Sequence, residues 1–178
     1  MIDEIAISYS LYKREIGLLK KDLFNKGVLK MKIAIGCDHS ALDLKNLLAK
    51  YLIEKGHEIV DCGTYTYESC DYTDYGLAVA QKIEKNEVEC GIVICFTGIG
   101  MSIIANKVKG VRCALVHNKD AAQLTREHND TNCLALSAKY TGFAYAKEIV
   151  DIWLDTPFSN NERHERRINK ITKYDEER

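Results

Sequence analysis

GIVICFTGIGMSIIANK, residues 91–107, joins two periodicities across a glycine turn. Gly91–Cys95 is a short apolar run suited to a strand buried on both faces, Thr97–Gly100 is a turn, and a helix is expected from Ser102. A buried strand running through glycines into a helix is the βα step of an α/β protein. Outward from this segment the alternation repeats. Upstream, Lys32–Gly36 reads as a strand, Leu42–Lys55 as a helix closed by Gly56, His57–Cys62 as a strand and Tyr75–Glu84 as a helix. Downstream, Val111–His117 and Asn132–Leu136 read as strands with Asp120–Glu127 helical between them. Phe143–Leu154 is helical and stops ahead of the single proline, Pro157, and a last polar helix is expected from about Arg163. Right-handed crossovers then favour an α/β fold: a doubly wound five-stranded parallel sheet in a three-layer sandwich, with the flavodoxin-like order 2-1-3-4-5.

The 178 residues fit one domain of ordinary size, able to bury a core without staples. With 25 basic and 26 acidic residues, the chain has no electrostatic footprint for nucleic acid or a membrane surface. No apolar run approaches the roughly 20 residues of a membrane span. The opening MIDEIAISYSLYKREIGLLKK puts acids first and lacks a small-residue cleavage site, so it does not read as a secretory signal. Seven cysteines, an odd number without a C-x-x-C pair, match neither a disulfide framework nor a zinc site. The expected compartment is the reducing cytoplasm, and no metal is expected. Residues 1–30 read apart from the rest. They form either a short helix packed outside the domain or sequence translated ahead of a start at Met31, and the domain proper is expected over 31–178.

Ligands of open α/β sheets bind beyond the carboxyl ends of the strands, where the strand order reverses. There the first strand ends in Cys37-Asp38-His39 and the third in Cys95-Phe96-Thr97-Gly98-Ile99-Gly100. Glycines at 98 and 100 let backbone approach a ligand closely, with amides turned toward a phosphate or a developing oxyanion. Alone, G-x-G is a weak signal: Ile103 breaks the dinucleotide fingerprint, and a buried structural thiol is the ordinary reading of Cys95. Arg126-Glu127-His128-Asn129-Asp130 is a dense polar cluster that a solvated loop also explains. Arg163 and Arg167, four apart, share a helix face and suit a two-pronged anion clamp, although such pairs are commonly only solvated. Tyr65, Tyr67, Tyr72 and Tyr75 suit a sugar pocket, with aromatic packing as the default.

At these residues the sequence resembles the ribose-5-phosphate isomerase B family, which includes allose- and galactose-6-phosphate isomerases. IAIGCDHSALDLK, VDCGTY, CFTGIGMSIIANK, VRCALV, REHNDTN and ERHERR carry the resemblance, in family order, from Met31 to about Lys173. The resemblance implies an aldose–ketose isomerase that needs no cofactor or metal and works through a cis-enediolate. By it, Cys95 matches the base that moves a proton between C1 and C2. Thr97 and His128 match groups that open the furanose ring, and Asp38 a carboxylate that handles the sugar hydroxyls. Gly98, Gly100 and Asn129 match the enediolate-stabilising groups. His39, Arg163 and Arg167 match the phosphate end. A thiol suits the base role because it titrates close enough to neutrality for strength and availability to balance.

Topology adds a separate expectation. The helix carrying His128 and Asn129 runs antiparallel to the strands, so these residues should fall at the amino end of the fifth strand. They would then serve a neighbour's crevice, which predicts a homodimer with shared sites, a tetramer being left open. Two positions depart from the family: Phe96 stands where Gly is common, and Lys139 where many members have a phosphate-binding Arg. Lysine keeps the charge and loses the bidentate fork. The leading substrate is ribose 5-phosphate, with allose 6-phosphate, galactose 6-phosphate or a tetrose phosphate as alternatives. From other classes, a non-catalytic phosphosugar sensor would need no base such as Cys95, and a phospho-acceptor receiver would need an acidic neighbour beside Asp38.

Overall fold

A computed structural model describes residues 30–177, so the extension expected over residues 1–30 lies outside the described residues except for Lys30. In chain order the elements are β1 (Lys32–Cys37), a 3-10 turn (His39–Ala41), α1 (Leu42–Glu54), β2 (Glu58–Asp61), α2 (Tyr72–Glu84), β3 (Cys90–Cys95) and α3 (Ile99–Ala105). There follow β4 (Cys113–Leu115), α4 (Lys119–Asn129), β5 (Cys133–Ser137), α5 (Phe143–Asp155) and α6 (Glu162–Glu177). The five strands form one parallel sheet.

Period-2 alternation divides the core. Ile33, Ile35, Ile92, Ile94, Leu134 and Leu136 pack with Leu48 and Leu52 of α1 and with Ile149, Val150 and Trp153 of α5. Ala34, Val93, Cys95 and Ala135 meet Val79, Ala80 and Ile83 of α2 and Met101 and Ala105 of α3. Helices on both faces make the expected three-layer sandwich.

The strand order is β2-β1-β3-β5-β4, which corrects the expected 2-1-3-4-5 at its far edge. The reason lies in burial. All five residues of β5 are buried, whereas the three of β4 are only partly so. The longer, wholly apolar strand therefore takes the interior place and β4 the edge. That edge is blunted by Asn106, whose Oδ1 accepts the Cys113 N–H and whose Nδ2 donates to the Cys113 carbonyl, both at 2.8 Å. One side-chain amide thus stands in for a neighbouring strand.

Candidate functional site

β1 and β3 are neighbours whose onward connections leave in opposite directions across the sheet, so the switch point lies between their carboxyl ends. The Asp38 N–H donates to the Ile94 carbonyl at 3.2 Å, which sets Asp38 beside Cys95. Asp38 is buried, and its Oδ1 accepts the Ser40 N–H at 3.0 Å and the Ser40 hydroxyl at 2.6 Å, capping the 3-10 turn that carries His39. Nδ1 of His39 accepts the Cys70 N–H at 3.2 Å. In the neutral ring the proton therefore sits on Nε2, the nitrogen left to donate to a ligand.

Cys95 ends β3 almost buried, and the Gly98 N–H points at its Sγ from 3.1 Å. Gly98 adopts φ 78°, and a Cβ there would lie 2.5 Å from Leu115 Cδ1 and 2.9 Å from the Leu136 carbonyl. Only glycine fits. This left-handed cap lets α3 begin at Ile99, three residues before the expected Ser102. A Cβ on Gly100 would strike the Tyr72 ring at 2.6 Å, so Tyr72 lies against the glycine loop. Thr97 Oγ1 accepts the Ile99 N–H at 3.4 Å. Beside the loop, the Phe96 carbonyl takes bonds from the Ser137 hydroxyl at 2.8 Å and the Lys139 N–H at 2.9 Å. Phe96 is 51% exposed, and the Lys139 ammonium sits 5.1 Å from its ring centroid. The two positions that depart from the family pattern therefore touch one another.

Of the other three tyrosines only Tyr75 packs, while Tyr65 and Tyr67 are exposed and held by their hydroxyls. Tyr65 donates to the Asp61 carbonyl, Tyr67 to Asp43, and Tyr75 lies against Gly63.

A second group forms at the opposite edge. In the parallel register Cys133 lies opposite Gly91, and Cys95 lies opposite Ser137. The end of α4 thus meets the sheet about 13 Å below the Cys95 level, at about 3.3 Å per residue. Here the His128 ring lies 4.3 Å from the His164 ring, centroid to centroid. Arg163 Nη2 is 3.2 Å from His164 Nε2, and Ser159 Oγ is 2.8 Å from its Nδ1. A guanidinium only donates, so Nε2 accepts and Nδ1–H donates to Ser159. Burial first, then the charges of His128, Arg163 and Arg167, hold the His164 pKa below the ordinary histidine value, against the pull of the Glu127 carbonyl. One chain thus gathers Asp38, His39, Cys95, Thr97, Gly98, Gly100 and Lys139 at the carboxyl edge. His128, Asn129, Arg163 and Arg167 stand apart at the amino edge. Sequence reasoning passed over His164, though it sits between arginines in ERHERR, and Cys70, whose 31-residue separation from His39 leaves no local trace. Among the described residues no group of three or more His, Cys, Asp or Glu is placed to hold a metal ion.

The family model for ribose/galactose isomerase matches residues 33–171. The chain belongs to the ribose/galactose isomerase family. Within the family it is 43% identical to ribose-5-phosphate isomerase B of Escherichia coli over 83% of this chain and 98% of that one. It is 36% identical to the galactose-6-phosphate isomerase subunit LacB of Clostridium acetobutylicum, over 79% of this chain and 82% of the relative. The solved structure of ribose-5-phosphate isomerase B from Clostridium thermocellum superposes with a TM-score of 0.80 at 46% identity, covering 83% of this chain and 99% of that one. The protein is a sugar phosphate isomerase. No helix among the described residues is long and apolar enough to cross a membrane.

Proposed function

We propose that the enzyme interconverts D-ribose 5-phosphate and D-ribulose 5-phosphate through a cis-enediolate, with Cys95 as the base. The thiolate takes the C2 proton of the open-chain aldose and returns it to C1, while a proton moves from O2 to O1. Asp38 handles those hydroxyls, and Thr97 and His128 open the ring. The Gly98 and Gly100 amides and Asn129 hold the enediolate oxygen, and His39, Lys139, Arg163 and Arg167 hold the phosphate. Gripping a dianion far from the reacting carbons turns binding energy into orientation. The observation that carries this reading is the near-buried Cys95 sulfur at the switch point, with the Gly98 N–H 3.1 Å away and Asp38 alongside.

The separation of the two residue groups supports a homodimer in which the amino edge of one subunit completes the carboxyl-edge crevice of the other. Purified protein treated with EDTA should form ribulose 5-phosphate, and Cys95→Ala should lower kcat at least about a hundredfold. Full activity in that variant would overturn the mechanism.

The exposed Phe96 ring beside Cys95, with Lys139 stacked on it, favours a second reading in which another sugar phosphate is preferred. A panel of pentose, hexose and tetrose phosphates ranked by kcat/KM decides between the two.

A further inference from the structure

We propose that Asp130, gripped by Arg112 and Arg126, is a positioning residue that holds His128 in its working place. The inference rests on the ring-opening role given to His128 above.

Asp130 caps α4 in the left-handed region, at φ 44° and ψ 50°. Glycine is the ordinary residue for that task, because a Cβ disfavours the conformation. An aspartate at the position calls for a use of its side chain. Its Oδ1 accepts from Arg126 Nη1 and its Oδ2 from Arg112 Nη2, both at 3.0 Å. The same guanidiniums also take the backbone. Arg112 Nε donates to the Asn129 and Asp130 carbonyls at 3.0 Å, and its Nη2 donates to the Asp130 carbonyl at 2.6 Å. Arg126 donates to the Thr131 carbonyl through Nη1 and to the Thr156 carbonyl, at 3.3 Å, through Nε. Trp153 Nε1 fixes the Thr131 hydroxyl at 2.9 Å. The turn directly after His128 is therefore tied at once from Arg112, which precedes β4, and from α4 and α5.

The side chains this turn presents contrast with its frame. Among the described residues, the imidazole nitrogens of His128 and the amide of Asn129 have no hydrogen-bond partner, and His128 has only the ring contact with His164. An over-determined backbone carrying uncommitted functional groups is the arrangement of a preorganised site. A helix stop alone would need neither arginine. The carboxylate is 38% exposed, so its ion pairs with the arginines add little stability of their own to the backbone bonds.

Two substitutions separate geometry from strain. Asp130→Gly keeps the left-handed backbone comfortable and deletes the carboxylate. Asp130→Asn keeps the shape and one acceptor. With ribose 5-phosphate as substrate, Asp130→Gly should lower kcat at least tenfold with KM changed less than threefold, and Asp130→Asn should stay within threefold of the parent. Melting curves establish the folded fraction of each variant. The decisive comparison is made in a His128→Asn background, where Asp130→Gly should cost less than a further twofold, because there is no longer an imidazole to position. A loss below twofold in the parent, or an undiminished loss in the His128→Asn background, overturns the proposal. A fully active His128→Asn variant faults the ring-opening role instead, and absence of turnover in the unmodified enzyme faults the substrate reading.

Discussion

Burial pushes the Cys37 and Cys90 thiols up to about 12. It also raises Cys62, and Cys133 is raised by its bond to Cys113 first and by burial second. At about pH 7.5 these thiols stay protonated and poorly nucleophilic. Iodoacetamide should therefore leave Cys37, Cys90 and Cys133 unlabelled. Loss of activity should follow carbamidomethylation of Cys95 as read by mass spectrometry, with sugar phosphate slowing both. Inactivation that instead tracks Cys70, 3.8 Å from the His39 ring, would remove the chemical support for Cys95. A histidine supplies the second residue-scale test. Nδ1 of His57 accepts the Met31 N–H at 3.3 Å, so its ring is neutral with the proton on Nε2. Burial first and the Lys55 charge second hold its pKa below the usual value, against the pull of Asp151. Below about pH 6.5 the unfolded chain therefore takes up a proton that the folded chain resists. The contribution of His57 is present above that pH and is lost as the pH falls toward the depressed folded value. The melting midpoint should drop between about pH 7.5 and pH 5.5. His57→Asn, which does not titrate, should show a shallower drop; an equal drop would assign the acid sensitivity elsewhere.

Among the elements, the connection after β2 hangs on one buried ammonium. Lys45 of α1 is fully buried, and its Nζ donates to both Asp61 oxygens, at 2.8 and 2.7 Å, and to the Thr64 carbonyl at 2.9 Å. Next to it, the Cys37 N–H donates to the Gly63 carbonyl and the Thr64 N–H to the Cys37 carbonyl, which binds the same turn to the end of β1. Lys45→Met strands the Asp61 carboxylate. Because Asp61 is about a third exposed, the loss should sit near the lower end for a broken buried pair, about 3 kcal/mol. In a domain of this size that is a fall of roughly 6–12 °C in the melting midpoint. A shift under about 2 °C would mean that water replaces the lost bonds. This device was invisible in the sequence, where Lys45 reads as one more polar position on an amphipathic helix. The strands that carry the site were legible because buried parallel strands are short apolar runs, and the 2-1-3 portion of the order followed from them. The β4 and β5 exchange was not, since a three-residue edge strand held by a side-chain amide leaves almost no periodicity to read. The glycine loop announced itself, but the pairing of Phe96 with Lys139 joins two segments through contacts that no spacing encodes.

At the scale of the whole molecule, one chain carries the proposed site residues in two groups at opposite edges of its sheet. Parallel strands fix their sides: Asp38 and Cys95 lie at the carboxyl ends, and an antiparallel α4 returns His128 to the amino end. No side-chain rearrangement spans a distance set by the length of β3 and β5. A second copy in symmetric contact spans it without moving any element, provided the amino edge of each subunit meets the carboxyl edge of the other. This arrangement has a quantitative consequence. Cys95→Ala and His128→Asn should each keep only a small, measurable residual activity as homodimers. In a mixed dimer one crevice combines both defects, while the other combines an intact Cys95 with an intact His128. After co-refolding equal amounts, half of the dimers are mixed and half of their sites are whole, so about a quarter of the parent activity should return. Sites complete within a single subunit would return none, because every crevice would then carry one of the two substitutions.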